Sequence, residues 1–249
     1  MSKLFEEITF GPVTLKNRLA VAPMGTIHAA DGGVSPEQRA YLVERAKGGF
    51  GLIYPSAHTV SNRFEHPHSS GNFLCTESHA ERLKILADEL HQYGAKLAIQ
   101  LSPGYGRVNV GTPETTTHVS ASAVPSFWHK EHLCKPLTVE EIHQLVEDAG
   151  RAARMAKDAG VDILEVHAYG GYLLDQFISK QWNHREDEYG GSLENRLRFI
   201  REFYDSIRAA VGPEYPISIK FTPQHSLHGG RTLDDEGIEI VKILNTWGF

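Results

Sequence analysis

Residues 160–196 read GVDILEVHAYGGYLLDQFISKQWNHREDEYGGSLENR, and this stretch decides the predicted fold. It begins with a short apolar run, 163–166, that is typical of a buried strand and is followed at once by His167. Tyr172 comes five residues later. Enzymes built on an α/β barrel carry their reactive side chains at the carboxyl ends of the strands. The stretch therefore predicts a barrel strand that presents a hydrogen-bond donor and a proton donor to a ligand.

The rest of the chain repeats this unit of a strand followed by a helix. Capping patterns at Ser35, Ser78 and Thr138 mark helix starts, and glycines follow most of the helices. Strands that alternate with helices in this way pair in parallel. The predicted strands are 19–22, 51–54, 96–100, 163–166 and 217–221, and the predicted helices are 35–47, 78–93, 138–159, 193–210 and 234–247.

Residues 5–18 alternate apolar and polar side chains around Gly11-Pro12 and predict a β-hairpin that can plug the amino-terminal end of a barrel. The predicted fold class is α/β, a TIM (β/α)8 barrel with about its first five β/α units present. Eight units close such a barrel, and residues 248–249 would open the sixth strand. We therefore expect a single domain, 1–249, truncated before strand six. A complete five-stranded open sheet is the alternative.

Composition excludes several classes of protein. The net charge of −6 disfavours nucleic acid or an anionic membrane surface as a partner. No apolar run could span a bilayer, and the first residues lack the apolar core of a signal peptide. Cys75 and Cys134 suggest neither a disulfide framework nor a metal cluster. These features predict a cytoplasmic protein with a small-molecule substrate, with homo-oligomerisation left open.

Three polar residues stand at or near the carboxyl ends of successive predicted strands: Gln100, His167 and Lys220. Alternation along a strand places each on one face with the residue two positions before it. Burying such groups without partners costs several kcal/mol each. Any one of them could be satisfied by a neighbouring loop. All three at equivalent positions favour a shared ligand rich in donors and acceptors.

The loop 102–137 is unusually long for a connection inside a compact domain, which is typical of lids and binding loops. Several of its side chains could contact a substrate or could form a solvated rim, and the sequence leaves both interpretations open. These side chains are His118, Trp128, His129, Lys130 and His132.

The chain resembles the old yellow enzyme family of flavin-dependent ene-reductases over roughly residues 5–247. The resemblance rests on His167, on the GYLL run at 171–174 and on DEYGGSLENR at 187–196. Its departures from that family resemble the branch of NADH:flavin oxidoreductases that includes 2,4-dienoyl-CoA reductases. The resemblance implies a barrel that binds FMN, with NAD(P)H as the reductant.

The resemblance also implies which residues hold the flavin. The first strand lays its backbone along the ring, the second strand ends in a small residue near it, a glutamine binds its pyrimidine edge, and a basic residue lies by N1 and O2. The corresponding residues are Pro23, Met24, Gly25, Ala57, Gln100 and Lys220. A fixed cation beside N1 would stabilise the anionic reduced flavin.

By the same resemblance, His167 binds a substrate carbonyl oxygen and Tyr172 protonates the α-carbon, while hydride adds at the β-carbon of an α,β-unsaturated carbonyl compound. The substrate would be an enone or an enoyl-CoA-like thioester. Gly170 lies in the substrate-binding segment where the family often has a second donor, His or Asn. Binding of the carbonyl by two side chains is therefore not expected.

Two alternatives remain open at this point. The chain could be a non-catalytic fragment, because the phosphate of a barrel ligand commonly binds after strands seven and eight. An iron–sulfur cluster, found in this branch beyond the barrel, would likewise require a region that these residues do not contain. Less favoured is a metal-dependent lyase that uses His225 and His228 with His167, whose spacing is loose; no metal site is predicted.

Overall fold

The computed structural model describes residues 3–25, 28–66 and 71–249. Their sheets are built from short strands joined by longer helices. The strands are β1 (Ile8–Phe10), β2 (Val13–Leu15), β3 (Ala20–Val21), β4 (Leu52–Ile53), β5 (Ala57–Thr59), β6 (Asn72–Phe73), β7 (Lys96–Ser102), β8 (Val119–Ser120), β9 (Lys135–Pro136), β10 (Ile163–Ala168) and β11 (Ile217–Phe221).

The main sheet has the strand order β11-β10-β7-β4-β3, and all of these neighbours pair in parallel. The strands lie side by side in the order in which they occur in the sequence, without the reversal that marks a doubly wound open sheet. Each crossover therefore advances in one direction around the sheet, which is how a barrel is wound. The predicted barrel with five parallel units is confirmed, and the open-sheet alternative is not.

The helices that cover this sheet are α1 (Pro36–Lys47), α2 (Glu77–Gln92), α3 (Val139–Asp158), α4 (Leu173–Ile178), α5 (Leu193–Val211) and α6 (Ile238–Thr246). Thr138 and Glu141 form the predicted reciprocal capping box of α3. Ser35 caps α1, but the side chain of Gln38 hydrogen-bonds to Asn72 instead of closing a box.

Several predicted boundaries were wrong. The cap of α2 is Thr76, two residues before the predicted cap Ser78, because the Thr76 hydroxyl accepts from the His79 amide, and the helix begins at Glu77. A π-helical turn, Leu233–Gly237, precedes α6 where one helix was expected. Gly248 and Phe249 are not in a strand; the Phe249 ring packs at 4.4 Å from that of Tyr204.

The antiparallel pair β1 and β2 confirms the predicted hairpin and lies at the amino-terminal end of the sheet. Leu15 of this hairpin packs with Leu52, Ala98 and Ile163, which come from three adjacent barrel strands. These strand residues form the lowest inward-facing layer, so the hairpin supplies the apolar floor. Outward-facing residues such as Leu97 and Ile99 join the larger core under the helices, and both are fully buried.

The DEYGGSLENR segment that carries the family resemblance is scaffold. Asp187 pairs with Arg185 at 2.5 Å, and the Tyr189 hydroxyl donates to Glu202 at 2.7 Å. Ser192 caps α5. Arg196 is 1% exposed and donates to the carbonyl oxygens of Ile178 and Gly191 and to the carboxylate of Glu236. The segment thereby ties α4, α5 and the π-helical turn together.

Replacing Arg196 by leucine is expected to lower the free energy of unfolding by ~3–5 kcal/mol, because the buried Glu236 would keep only the exposed Lys180 as a partner and the carbonyl oxygens of Ile178 and Gly191 would lose a charged donor. Chemical denaturation of the purified protein measures this change. Arg201→Leu is the matched control. It breaks an exposed pair with Asp205 on the same helix and should cost less than ~1 kcal/mol. Equal losses of unfolding free energy in the two variants would show that the buried Arg196 stabilises the fold no more than the exposed Arg201 does.

Candidate active site at the carboxyl ends of the strands

Strand register fixes where the predicted polar residues lie. Gln100 of β7 pairs with Glu165 of β10, which pairs in turn with Ser218 of β11, and Ala57 of β5 is the partner of Gln100 on its other side. His167 and Lys220 pair with each other one inward-facing layer further on. The structure therefore brings Gln100, His167 and Lys220 to one face and one end of the sheet, in two consecutive layers.

Gln100 and Glu165 form the centre of the lower layer. The Gln100 Nε2 atom donates to Glu165 Oε1 at 2.6 Å, and the Ser218 hydroxyl lies 3.4 Å from Glu165 Oε2. The Tyr54 hydroxyl also interacts with Glu165 and Ser218, and burial raises the pKa of Tyr54. In the described part of the chain, Gln100 Oε1 accepts no hydrogen bond. Its amide therefore retains one acceptor for a ligand.

His167 is 5% exposed, and its Nδ1 atom has no hydrogen-bond partner within the described ranges. Burial, and after it the nearby cation of Lys220, lower the pKa of His167 to about 4. The ring is therefore neutral at physiological pH, with one N–H and one acceptor nitrogen. A buried nitrogen without a partner is costly in a finished core and is expected where a ligand binds.

Lys220 is only partly buried, and its ammonium group lies 4.9 Å from the centre of the Tyr169 ring. Among the residues that the structure describes, no carboxylate lies within ion-pair distance of it. Burial raises the pKa of Glu165 in the layer below, and the charge of Lys220 offsets part of this effect. Lys220 thus offers a positive charge that the chain does not neutralise by direct contact.

Tyr172 lies beside His167, with 4.7 Å between the ring centres. It is reached through a turn in which Gly170 and Gly171 have φ angles of 68° and 76°, a region that favours glycine. A Cβ atom on Gly170 would lie 3.3 Å from the Tyr172 ring. The Gly170 amide donates to the Thr222 hydroxyl. Gly170 therefore shapes the site through its backbone.

The remaining predicted flavin contacts are close to the same end of the sheet. Pro23, Met24 and Gly25 continue directly from β3, and Met24 is 66% exposed. Ala57 was expected to end the second strand, but that strand is split, and Ala57 begins its second piece, β5. The Pro55-Ser56 interruption prevents a continuous ladder there because proline has no amide hydrogen to donate.

Sequence reasoning missed a buried cluster behind Tyr172. Asp175 is fully buried and accepts from the Gly171 amide, from Arg231 at 2.7 Å and from His225 at 3.0 Å. His225, which the sequence grouped with His167 and His228 as possible metal ligands, instead directs its Nε2 atom at Asp175. Within 3–25, 28–66 and 71–249, no group of three metal-binding side chains is found.

Gln176 joins the segments that surround the site and is also fully buried. Its Nε2 atom donates to the carbonyl oxygens of Tyr105 and Gly171, and its Oε1 atom accepts from the Arg107 amide and the Ser120 hydroxyl. The bonds range from 2.6 to 3.2 Å. A glutamine inside an apolar run gives no sequence signal for such a role.

A cleft of about 580 Å³ opens beside Tyr172. Six of its sixteen lining residues are tyrosine, phenylalanine or tryptophan. Among the predicted contacts of the long loop, Trp128 lines it. His118, His129, Lys130 and His132 do not. The lining includes Tyr105, Arg107, Phe127, Trp128, Tyr169, Gly170, Tyr172 and Trp182.

Glu65 lies under the loop that carries Tyr105 and is 3% exposed. Its Oε1 atom accepts from the amides of Tyr105 and Gly106 at 2.5 and 3.1 Å, whereas Oε2 has no partner in the described residues. Burial raises the pKa of Glu65 to about 7, and these two amides offset part of the effect. Its position after β5 carries no motif, so the sequence did not indicate it.

The pKa of Glu65 predicts a pH dependence of stability. Its folded pKa exceeds its ordinary value of 4.5, so its contribution to stability is complete below pH 4.5 and is lost as pH rises towards 7. Glu65→Gln should remove this decline, which can reach ~3 kcal/mol. Denaturation at several pH values measures the difference between variant and wild type, so that other titrating groups cancel. The exposed Glu147→Gln should leave the profile unchanged.

A one-directional parallel barrel sheet thus carries histidine, lysine and glutamine at its carboxyl edge, with a tyrosine beside the histidine. The sequence profile of the NADH:flavin oxidoreductase / NADH oxidase family matches residues 3–247. The chain belongs to this family.

Relatives agree with the assignment. The chain is 36% identical to a cinnamate reductase of Clostridium sporogenes, with 99% of the chain and 40% of the relative covered. It is 35% identical to an NADPH dehydrogenase of Listeria monocytogenes, with 98% and 73% covered. The fold is similar to Old Yellow Enzyme from Pichia sp., with a TM-score of 0.86, 29% identity, and 97% and 66% covered. The chain thus spans about two-fifths of the cinnamate reductase.

None of the helices in the described parts of the chain has the length and apolar character needed to cross a membrane.

Proposed function

We propose that residues 1–249 belong to one flavin-binding barrel domain of an FMN-dependent oxidoreductase that uses NAD(P)H to reduce an activated C=C bond. The observation that carries this proposal is the pairing of His167, with its buried unpartnered nitrogen, with Lys220, an unneutralised cation. Homologues named cinnamate reductase and NADPH dehydrogenase support the reaction class and the reductant.

The residues fit FMN by their chemistry. Gln100 retains an amide acceptor for the N–H of the pyrimidine ring, and Lys220 supplies positive charge for the N1 and O2 edge. Ala57 is small and lies beside Gln100 in the sheet register, which leaves room for a planar ring. The backbone of Pro23, Met24 and Gly25 borders the same edge of the sheet. Bound FMN, once reduced, supplies the hydride that the reaction needs.

His167 then binds the substrate carbonyl oxygen. Its neutral ring donates one hydrogen bond, and the charge of Lys220 favours the negative charge that develops on that oxygen as the β-carbon is reduced. Gly170 contributes no side chain, so the carbonyl has one histidine donor at this place instead of the family's frequent pair. Tyr172 lies against His167 and donates its proton to the α-carbon.

Tyr172 is well suited to that donation because burial raises the pKa of its hydroxyl, which keeps the proton in place at neutral pH. The tilted packing of Tyr172 on His167 and its edge contact with Tyr105 at 5.1 Å fix the ring. The double-glycine turn holds the hydroxyl-bearing ring at the boundary between the strand ends and the aromatic cleft. Substrate enters through that cleft in this proposal.

Lys220→Gln is expected to lower the midpoint potential of the flavin by ~30–60 mV, because the cation that favours the anionic reduced form is lost. Equilibration of the FMN-containing protein with redox dyes measures the potential. Lys220→Arg should restore most of it. A wild-type protein purified without flavin and unable to bind FMN, or an unchanged potential in Lys220→Gln, would contradict the assignment.

Tyr172→Phe is expected to slow enone reduction by ~100-fold or more while flavin reduction by NAD(P)H stays within about twofold, because only the second half-reaction needs the proton. Stopped-flow measurement of the two half-reactions separates these effects. Tyr41→Phe, on the exposed face of α1, serves as the control and should alter neither. Equal loss of both half-reactions in Tyr172→Phe would refute the role of this hydroxyl.

A further inference from the structure

The aromatic cleft beside Tyr172 contains a cation that the proposed reduction does not use. Arg107 lines the cleft, with its guanidinium carbon 5.3 Å from the centre of the Trp182 ring and 5.8 Å from that of Phe127. No aspartate or glutamate is among the cleft's lining residues. In the part of the chain that the structure describes, no carboxylate forms an ion pair with Arg107.

Arg107 is held in place by its backbone and by one guanidinium nitrogen. Its amide donates to Gln176, its carbonyl oxygen accepts from the Phe127 amide at 2.8 Å, and its Nε atom donates to the Pro125 carbonyl oxygen at 3.2 Å. The terminal Nη atoms have no hydrogen-bond partner within the described ranges. The fork that recognises carboxylates is therefore available while its direction is fixed.

Two aromatic rings near Arg107 are exposed to solvent, which is unfavourable for large apolar side chains unless a ligand covers them. Phe127 is 48% exposed and Trp128 58%, yet both are anchored: the Trp128 indole donates to the Val108 carbonyl oxygen at 3.1 Å, and the two rings pack edge to face at 4.8 Å. Fixed, exposed aromatic walls in a concave site are typical of a binding site for a planar apolar ligand.

The cleft is continuous with the reacting groups. Tyr105 and Tyr172 both line it and are in edge contact, and Trp182 packs over the Gly171 turn, where a Cβ atom would meet its ring at 3.2 Å. A ligand that fills the cleft can therefore contact both Tyr172, the proposed proton donor, and the cation of Arg107. Tyr172 in turn packs on His167, which lies outside the cleft lining, with 4.7 Å between the ring centres.

We infer that the substrate is a planar aromatic compound whose activated C=C bond lies at Tyr172 and whose far end bears a carboxylate that pairs with Arg107. This inference rests on the proposed function and adds a substrate class to it. The aromatic residues of the cleft favour a planar ring between the two ends of the substrate. Because no acidic residue lines the cleft, the substrate carboxylate is not repelled there. Arg107 acts as a specificity residue because it contacts the end of the substrate that does not react.

The probe pair is 4-carboxycinnamaldehyde and its methyl ester, which share the same ring, alkene and aldehyde and differ in the distal charge. The wild-type enzyme is expected to show a KM about tenfold or more lower for the acid, with similar kcat for both. Arg107→Gln should equalise the two KM values by raising that of the acid. Arg107→Lys, which keeps the charge but loses the planar fork, should retain part of the preference.

Lys130→Gln is the matched control, since it removes one positive charge from the same loop outside the cleft. It should keep the full preference for the acid. Loss of the preference in Lys130→Gln to the same extent as in Arg107→Gln would mean that general loop charge, and not Arg107, attracts the anion. A preference that survives in Arg107→Gln, or that is absent in the wild type, would overturn the inference.

Calorimetric titration of both probes without reductant separates this inference from the proposed reaction. If the acid binds more tightly than the ester and Arg107→Gln abolishes the difference, the subsite stands even when neither probe is reduced. If both probes are reduced but bind equally, the reaction stands and the subsite fails. Should Arg107→Gln not fold, the wild-type preference must weaken between 0.05 and 0.5 M salt, and a salt-independent preference would exclude the ion pair.

Discussion

Parallel register between β7, β10 and β11 is the constraint on which the site depends. It sets Gln100 beside Glu165 and His167 beside Lys220, in successive layers above an apolar floor supplied by the hairpin. Polar groups within a barrel are tolerated when they bind one another or a ligand. The lower layer is satisfied largely from within, through Gln100, Glu165 and Ser218. In the upper layer, the neutral imidazole of His167 and the cation of Lys220 lack such partners, so this layer is where we expect a ligand to bind.

Much of this arrangement could be predicted from the sequence because it depends on local rules. Alternation along strands placed His167 and Lys220 on the same face, and glycine and capping signals separated the β/α units. The split second strand and the Thr76 cap were missed by a few residues, as is usual at element ends. The short helix α4 was missed because its GYLL beginning resembles a loop, and all six of its residues are buried.

The parts that escaped prediction are buried polar contacts between distant segments. Glu65 meets the amides of Tyr105 and Gly106, forty residues away, and Asp175 meets Arg231 across 56 positions. No pattern within a window of sequence encodes such pairs. The conspicuous DEYGGSLENR motif, in contrast, supports the structure around Arg196 and takes no part in the site. A family signature and a reactive group are thus different features, although here they share one stretch of chain.

Gln176 shows how the two walls of the site are kept together. One carboxamide is bonded to the segment of Tyr105 and Arg107, to the turn at Gly171 and to Ser120. Its donor and acceptor ends are both used, so it cannot turn over without losing every bond. The tyrosine-bearing turn and the arginine-bearing loop are therefore locked at a set spacing. The aromatic residues that line the cleft can therefore change among relatives without altering its width. That width is set by the side-chain amide of Gln176, which does not line the cleft.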